Sequence, residues 1–169
     1  DRIELDAFLA LLPQTMADAA LLAAEHDGRL DGRTCLHVPE RLANRALRYA
    51  LEVRSPTFVG RPEFLGLLRE HGIALVVADT PGRWPKLMED TTDFRYVRLH
   101  GDVELYASGY SSETLDGWAA TIRNWTGDGE DVYLYFDNDA KVRAPFDAMG
   151  FQKKLAERLK SLDDGGPHS

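Results

Sequence analysis

Phe94-Arg95-Tyr96-Val97-Arg98-Leu99-His100-Gly101 reads as a β-strand with two unlike faces. Residues two apart share a face of a strand, so Val97 and Leu99 fall on one side while Tyr96, Arg98 and His100 fall on the other. The first set suits a sheet packed on helices. The second carries two charged or titratable groups inside the strand itself, and it needs a polar surrounding.

Three further runs repeat the pattern. In Tyr49-Ala50-Leu51-Glu52-Val53-Arg54, Leu51 and Val53 oppose Ala50, Glu52 and Arg54. In Val132-Tyr133-Leu134-Tyr135-Phe136-Asp137, the apolar set Val132, Leu134 and Phe136 opposes Tyr133, Tyr135 and Asp137. Ile73-Ala74-Leu75-Val76-Val77-Ala78-Asp79 is apolar until its last residue. Helical segments separate the runs. Pro62 suits a first helical residue, Phe64, Leu67 and Leu68 form a stripe, and Gly72 is a stop. Ser111 or Ser112 can cap a helix striped by Leu115, Trp118, Ala119, Ile122 and Trp125. After the fourth run, Phe151, Leu155, Leu159 and Leu162 mark a last helix. The segment after Asp79 contains Gly and Pro and predicts no helix.

Strands alternating with helices argue for parallel strands joined by right-handed crossovers, an α/β fold. A doubly wound sheet is covered on both faces and reads apolar on both, whereas a charged face fits the interior of a TIM-type (β/α) barrel. Such barrels carry their chemistry at the carboxyl ends of the strands. Here each run ends in polar groups: Glu52 and Arg54; Asp79; Arg98 and His100; Asp137, Asn138 and Asp139.

Upstream, Leu5, Phe8, Leu9 and Leu12 have helical spacing, interrupted by Pro13. A second helix is expected from Thr15, with Asp18 in its first turn, to about His26 before Gly28. Arg29 to Arg48 reads as a polar loop with a helical turn or two.

Composition narrows the partners. The chain has 169 residues, with 20 basic against 28 acidic side chains, for a net charge of −8. A pI near 5.1 opposes a nonspecific grip on nucleic acid or an anionic membrane, so nucleic acid is disfavoured. The single cysteine, Cys35, excludes an internal disulfide and a multi-thiolate zinc site, and suits a reducing cytoplasm. No apolar stretch is long enough to span a bilayer. Phosphate-loop, nucleotide-fingerprint and Gly-x-Ser-x-Gly patterns are missing.

These same runs resemble the YecE-like family, the domain of unknown function 72. The motifs that carry the likeness are Ala50-Leu51-Glu52-Val53-Arg54, Val77-Ala78-Asp79-Thr80-Pro81, Tyr96-Val97-Arg98-Leu99-His100-Gly101, Tyr110-Ser111 before the Leu115 and Trp118 helix, and Tyr135-Phe136-Asp137-Asn138-Asp139 followed by Ala144. The resemblance implies a single TIM-type barrel and no settled activity. It also implies that this chain is the carboxyl-terminal half, about the last four βα units, over residues 1–162; residues 163–169 read from the sequence itself as a disordered tail. Barrels of eight strands typically need about 250 residues. The expectation is therefore a longer natural protein, a segment of one, or two copies that complete each other; the start at Asp1 without methionine points the same way.

The candidate chemistry follows from the strand ends. His100 is the expected acid/base, aided by Glu52 and Asp137, since its ordinary pKa lies near neutrality and Gly101 lets a ligand approach. Arg54 and Arg98 offer forks for phosphate or carboxylate, and Asp79, Asn138 and Tyr135 join them as substrate-binding candidates. Glu52, Asp79 and Asp137 form an oxygen-rich set suited to magnesium or manganese. Trp84, Tyr106 and Tyr110 are loop aromatics expected to cover the barrel mouth or stack a sugar or base. The expected function is an enzyme acting on a small anionic, sugar-like or phosphoester substrate, a metal-assisted hydrolase or phosphoesterase among them. The alternative is a non-catalytic ligand- or partner-binding module in which the same charges form a structural ion network.

Overall fold

The computed structural model describes residues 2–26 and 37–163, with side chains through 160. Gly28, Cys35, His168 and the expected tail beyond Asp163 lie outside the described residues. Two compact units divide the chain, Asp1–Tyr49 and Ala50–Ser169.

In the first unit, α1 spans Arg2–Ala10 and α2 spans Met16–Ala24. The start of α2 is fixed by a reciprocal capping box: the Asp18 N–H donates to Thr15 Oγ1, and the Thr15 N–H donates to the Asp18 carboxylate. A short α3, Glu40–Ala43, follows within the stretch expected to be mostly loop. An antiparallel bridge joins Thr15 to Ala46, and the Tyr49 hydroxyl donates to the Pro13 carbonyl at 2.7 Å.

The rest of the chain builds a four-stranded sheet in the order β1-β2-β3-β4, with β1 Tyr49–Leu51, β2 Ile73–Asp79, β3 Phe94–Leu99 and β4 Asp131–Phe136. β3 runs parallel to both β2 and β4. Helix α4 (Pro62–Glu70) joins β1 to β2 after a 3₁₀ turn at Pro56–Phe58, α5 (Ser112–Gly127) joins β3 to β4, and α6 (Ala144–Asp163) follows β4. Segment 80–93 contains no helix, and Thr91 ties it down by accepting from the Leu75 N–H and donating to the Ile73 carbonyl.

Register fixes the two faces. Val77 pairs with Val97 and Val97 with Leu134; one step along, Ala78 pairs with Arg98 and Arg98 with Tyr135. The first row faces the helices. There Val77, Val97 and Leu99 pack with Leu115, Trp118, Ala119 and Ile122 of α5 and Phe151 of α6, and Trp125, Leu134 and Phe136 pack against them. Burial of a side chain such as Leu99, which is fully enclosed, stabilises by about 1.5–3 kcal/mol. The second row forms the opposite face, where Tyr96 stacks on Tyr135 with ring centroids 5.1 Å apart and on Tyr133 at 6.3 Å.

The sheet is open, with β1 and β4 at its edges, and the described residues do not close a barrel. One expectation needs correction. β1 ends at Leu51, so Glu52 and Arg54 stand beyond the strand; the Ser55-Pro56 turn draws the chain away from its single neighbour. α6 begins seven residues before Phe151, at Ala144, and runs through Asp163.

Candidate functional site

β3 sets the geometry, because its residues alternate between core and polar face up to the last one. Arg98 points onto the polar face and is held on two sides. Its Nη1 donates to Glu52 Oε2 at 2.6 Å and its Nε to Asp137 Oδ2 at 2.6 Å. Arg54 adds a third bond, Nε to Glu52 Oε1 at 2.9 Å, and lays its guanidinium over Trp84, 4.6 Å from the ring centroid. Two carboxylates thus face two guanidinium groups, and the charges balance. Charge-assisted bonds of this length are the strong ones.

His100 sits one alternation further along and is completely buried. The strand ladder carries it there: its N–H donates to the Asp79 carbonyl, and the Asp137 N–H donates to the Leu99 carbonyl. Its Nε2 lies 3.7 Å from Glu52 Oε2 and its Nδ1 3.7 Å from Asp137 Oδ2, so neither ring nitrogen has a hydrogen-bond partner. Trp84 and Tyr106 meet the imidazole edge-on, with centroids 5.4 and 5.2 Å away. Burial lowers the His100 pKa from its ordinary value, Arg98 lowers it further, and the pull of Asp137 and Glu52 does not offset them. The neutral imidazole is therefore the resident form, and it presents one donor and one acceptor. For Glu52, burial raises the pKa, but hydrogen bonds from Arg54 and Arg98 outweigh it and hold the carboxyl below its usual range. A groove of about 260 Å³ opens beside the cluster, lined by Ala50, Glu52, Val76, Tyr96 and Arg98. Tyr135 stands half-exposed on the same face.

The other expected site residues lie elsewhere. Alternation along β2 puts Asp79 in one row with Val77, on the helix side. There its carboxylate accepts from Trp118 Nε1 at 2.9 Å and from Lys86 Nζ at 3.0 Å. It lines a larger cavity of about 360 Å³ with Lys86, Asp102, Thr114 and Trp118, on the opposite side of the sheet from His100. Glu52 and Asp137 come together on Arg98 without Asp79, and among the described residues no three His, Cys, Asp or Glu side chains are grouped to hold a metal ion.

Asn138 is fully buried, and its Nδ2 donates to the Ser108 carbonyl at 2.9 Å and to Asp147 Oδ2 at 2.6 Å. Asp147 also accepts from the Tyr110 N–H. The pair fastens the end of β4 and the start of α6 to the segment after β3. Asp147 is absent from the sequence-derived candidates, since a carboxylate in the first turn of a helix usually signals only a favourable helix dipole. Tyr110 is a buried core residue whose hydroxyl accepts from the Gly101 N–H at 3.0 Å.

Gly101 allows this arrangement. Its φ is +122°, and a Cβ there would stand 2.4 Å from the Glu104 carbonyl oxygen, so only glycine fits.

Comparison with known proteins bears on the fold and the family. Among solved structures, a DUF72 family protein from Thermotoga maritima is 31% identical, with a TM-score of 0.57 over 65% of this chain and 46% of its own. Two structures of a DUF72 family protein from Enterococcus faecalis are 22% and 21% identical, with TM-scores of 0.56 and 0.54, and show likeness of fold. The chain spans about half the length of each of these structures. No curated protein matches it. The sequence profile described as "Protein of unknown function DUF72" matches residues 1–168, so the chain belongs to the DUF72 family, which is the YecE-like family of the resemblance above.

Proposed function

We propose that this sheet is one wall of a TIM-type barrel and that its polar face binds a small anionic or sugar-like molecule, with His100 moving a proton. One observation carries the reading: a neutral imidazole with both nitrogens unpartnered stands between two carboxylates tied to one arginine, beside an open groove. Buried polar groups are otherwise hydrogen-bonded, and unpartnered ones mark sites where chemistry overrides stability. In this reading Arg98 and Arg54 anchor the anionic or hydroxylated part of the ligand, and a carboxylate that gives up its arginine bond accepts from ligand hydroxyls. His100 donates through one nitrogen or accepts through the other. Tyr96 and Tyr135 line the approach. The barrel part rests on the two open edges and the polar face, which further strands, from the same polypeptide or a second copy, would cover. A small phosphoester is a member of the proposed ligand class. A divalent ion would find Glu52 and Asp137 already holding Arg98, and among the described residues no three His, Cys, Asp or Glu side chains are grouped to hold it, so the reading uses none.

The second reading is a ligand- or partner-binding module whose charges are structural. What favours it is that Arg98 already spends two edges of its guanidinium on Glu52 and Asp137. Separate replacement of Glu52, Arg98 and His100 distinguishes the two. If ligand binding or turnover is lost while the melting temperature moves little, the site reading stands. If His100→Gln and Arg98→Lys each unfold the protein and no probe ligand shifts the His100 imidazole resonance, the network reading replaces it.

A further inference from the structure

His100 is sealed from solvent, yet the reading above requires a ligand to reach it. What seals it is specific. Trp84 covers one side from segment 80–93, and Tyr106 covers the other from segment 101–110.

The second cover has the features of a moving part. Tyr106 adopts φ +61°, a left-handed conformation that a bulky side chain rarely takes and that is held only by its surroundings. Two backbone bonds hold it: its N–H donates to the His100 carbonyl at 2.5 Å, and its carbonyl accepts from the Ala140 N–H at 3.1 Å. The ends of the segment are fastened differently. At one end the Gly101 N–H donates to the Tyr110 hydroxyl; at the other, Asn138 donates to the Ser108 carbonyl and Asp147 accepts from the Tyr110 N–H. Of these anchors, Tyr110, Asn138 and Asp147 are buried. The Asp102 carboxylate is a further anchor, accepting from the Ser111 N–H at 3.1 Å and from Thr114 Oγ1 at 3.0 Å. Between the anchors, residues 103–107 rest on the two Tyr106 bonds, turn bonds to the Glu104 carbonyl, bonds to Ser108 Oγ and the exposed Glu104–Lys141 pair, while Val103 stands 81% exposed.

We propose that residues 103–107 form a lid over His100, with Tyr106 as its stopper, and that the Glu52–His100–Asp137 site admits ligand only when this span lifts. The proposal rests on the reading of that site as a binding site, but its test needs no ligand. The imidazole's own reactivity reports the opening.

Diethylpyrocarbonate modifies accessible neutral imidazoles, and peptide mapping by mass spectrometry follows each histidine separately, with the exposed His37 as internal reference. In the unaltered chain His100 is expected to react at least about tenfold more slowly than His37, as for a group exposed only by local opening. Tyr106→Asn removes the ring and tolerates positive φ. It should raise the His100 rate about tenfold or more without changing the circular dichroism, whereas Tyr106→Phe, which keeps the ring, should leave the rate unchanged. If His100 in Tyr106→Asn stays as protected as before, or in the unaltered chain reacts as fast as His37, the lid is overturned. Should Tyr106→Asn unfold, hydrogen exchange of the unaltered chain decides: amides of 103–107 exchanging with those of the core strands contradict the lid, and exchange well ahead of them supports it. A lid that opens on this test while no ligand perturbs His100 would leave the lid standing and remove the binding reading.

Discussion

Arg98 holds two carboxylates with two edges of one guanidinium, and that single side chain decides whether the polar face is stable. Its replacement by Met leaves Glu52 and Asp137 facing each other and His100. The cluster is partly solvated, with the Arg98 side chain 32% exposed, so the expected cost is about 1–3 kcal/mol, between that of a surface pair and that of a buried one. Denaturant unfolding of Arg98→Met measures it; Arg98→Lys, which keeps the charge but not the fork, should recover only part. His100 gives the pH dependence. Its pKa is lower in the fold than the ordinary 6.5, so the unfolded chain binds the proton first. Stability is then complete above about pH 6.5 and falls as pH drops through 6.5 toward the folded-state value. Glu52, also shifted down, adds a loss at more acidic pH, below the usual glutamate range. The slope between about pH 7 and 5 should flatten in His100→Gln, and melting curves across that range would show an unchanged slope if His100 is not the group responsible. His100, Arg98, Glu52 and Asp137 were legible in the sequence, since alternation along their runs puts them on one face. Asp79 does not join them, because the same alternation, applied to β2, puts it beside Val77 on the helix side. The burial of Asn138 against Ser108 and Asp147 is not legible in the sequence, because Asp147 lies in a helix whose start no sequence signal marks.

At the scale of elements, α5 and the turn after β3 offer opposite tests of local chemistry. Ser111 caps α5 by accepting from the Thr114 N–H, and Ser111→Ala should cost about 1 kcal/mol. Gly117 lies inside α5, and a methyl group added there would meet nothing within 4 Å, so Gly117→Ala should stabilise by roughly 0.5–1 kcal/mol. Gly101→Ala meets the Glu104 carbonyl oxygen and a positive φ together, and should lower the melting temperature far more than either of these changes. Thermal melts of the three variants check the order, and an unchanged melting temperature for Gly101→Ala would show that the turn around His100 can rearrange freely. The strands and the long helices were readable because apolar spacing matches the strand and helix periods. The end of β1 was not, because alternation continues through Glu52, Val53 and Arg54 whether or not the backbone is still paired.

At the scale of the molecule, the polar face explains why an open parallel sheet carries charged residues inside its strands. A sheet covered by helices on one side only must either keep its other face wet or cover it with polar partners. Val77, Val97 and Leu134 pack on the helices, while Arg98 and Tyr135 stand one register step away on the other face, so the two sides call for different environments. Among the described residues no helix is long and apolar enough to cross a membrane. The proposed role of this face is a ligand site organised by Arg98 around His100. The most direct measurement is a histidine side-chain NMR titration of the full chain with ribose 5-phosphate, which joins a sugar to a phosphate. A ligand site of this kind predicts a saturable shift of the His100 imidazole signals that disappears in Arg98→Met under conditions where that variant remains folded. It would be contradicted by His100 signals that stay fixed at millimolar ribose 5-phosphate, or by a shift of equal size in the folded variant.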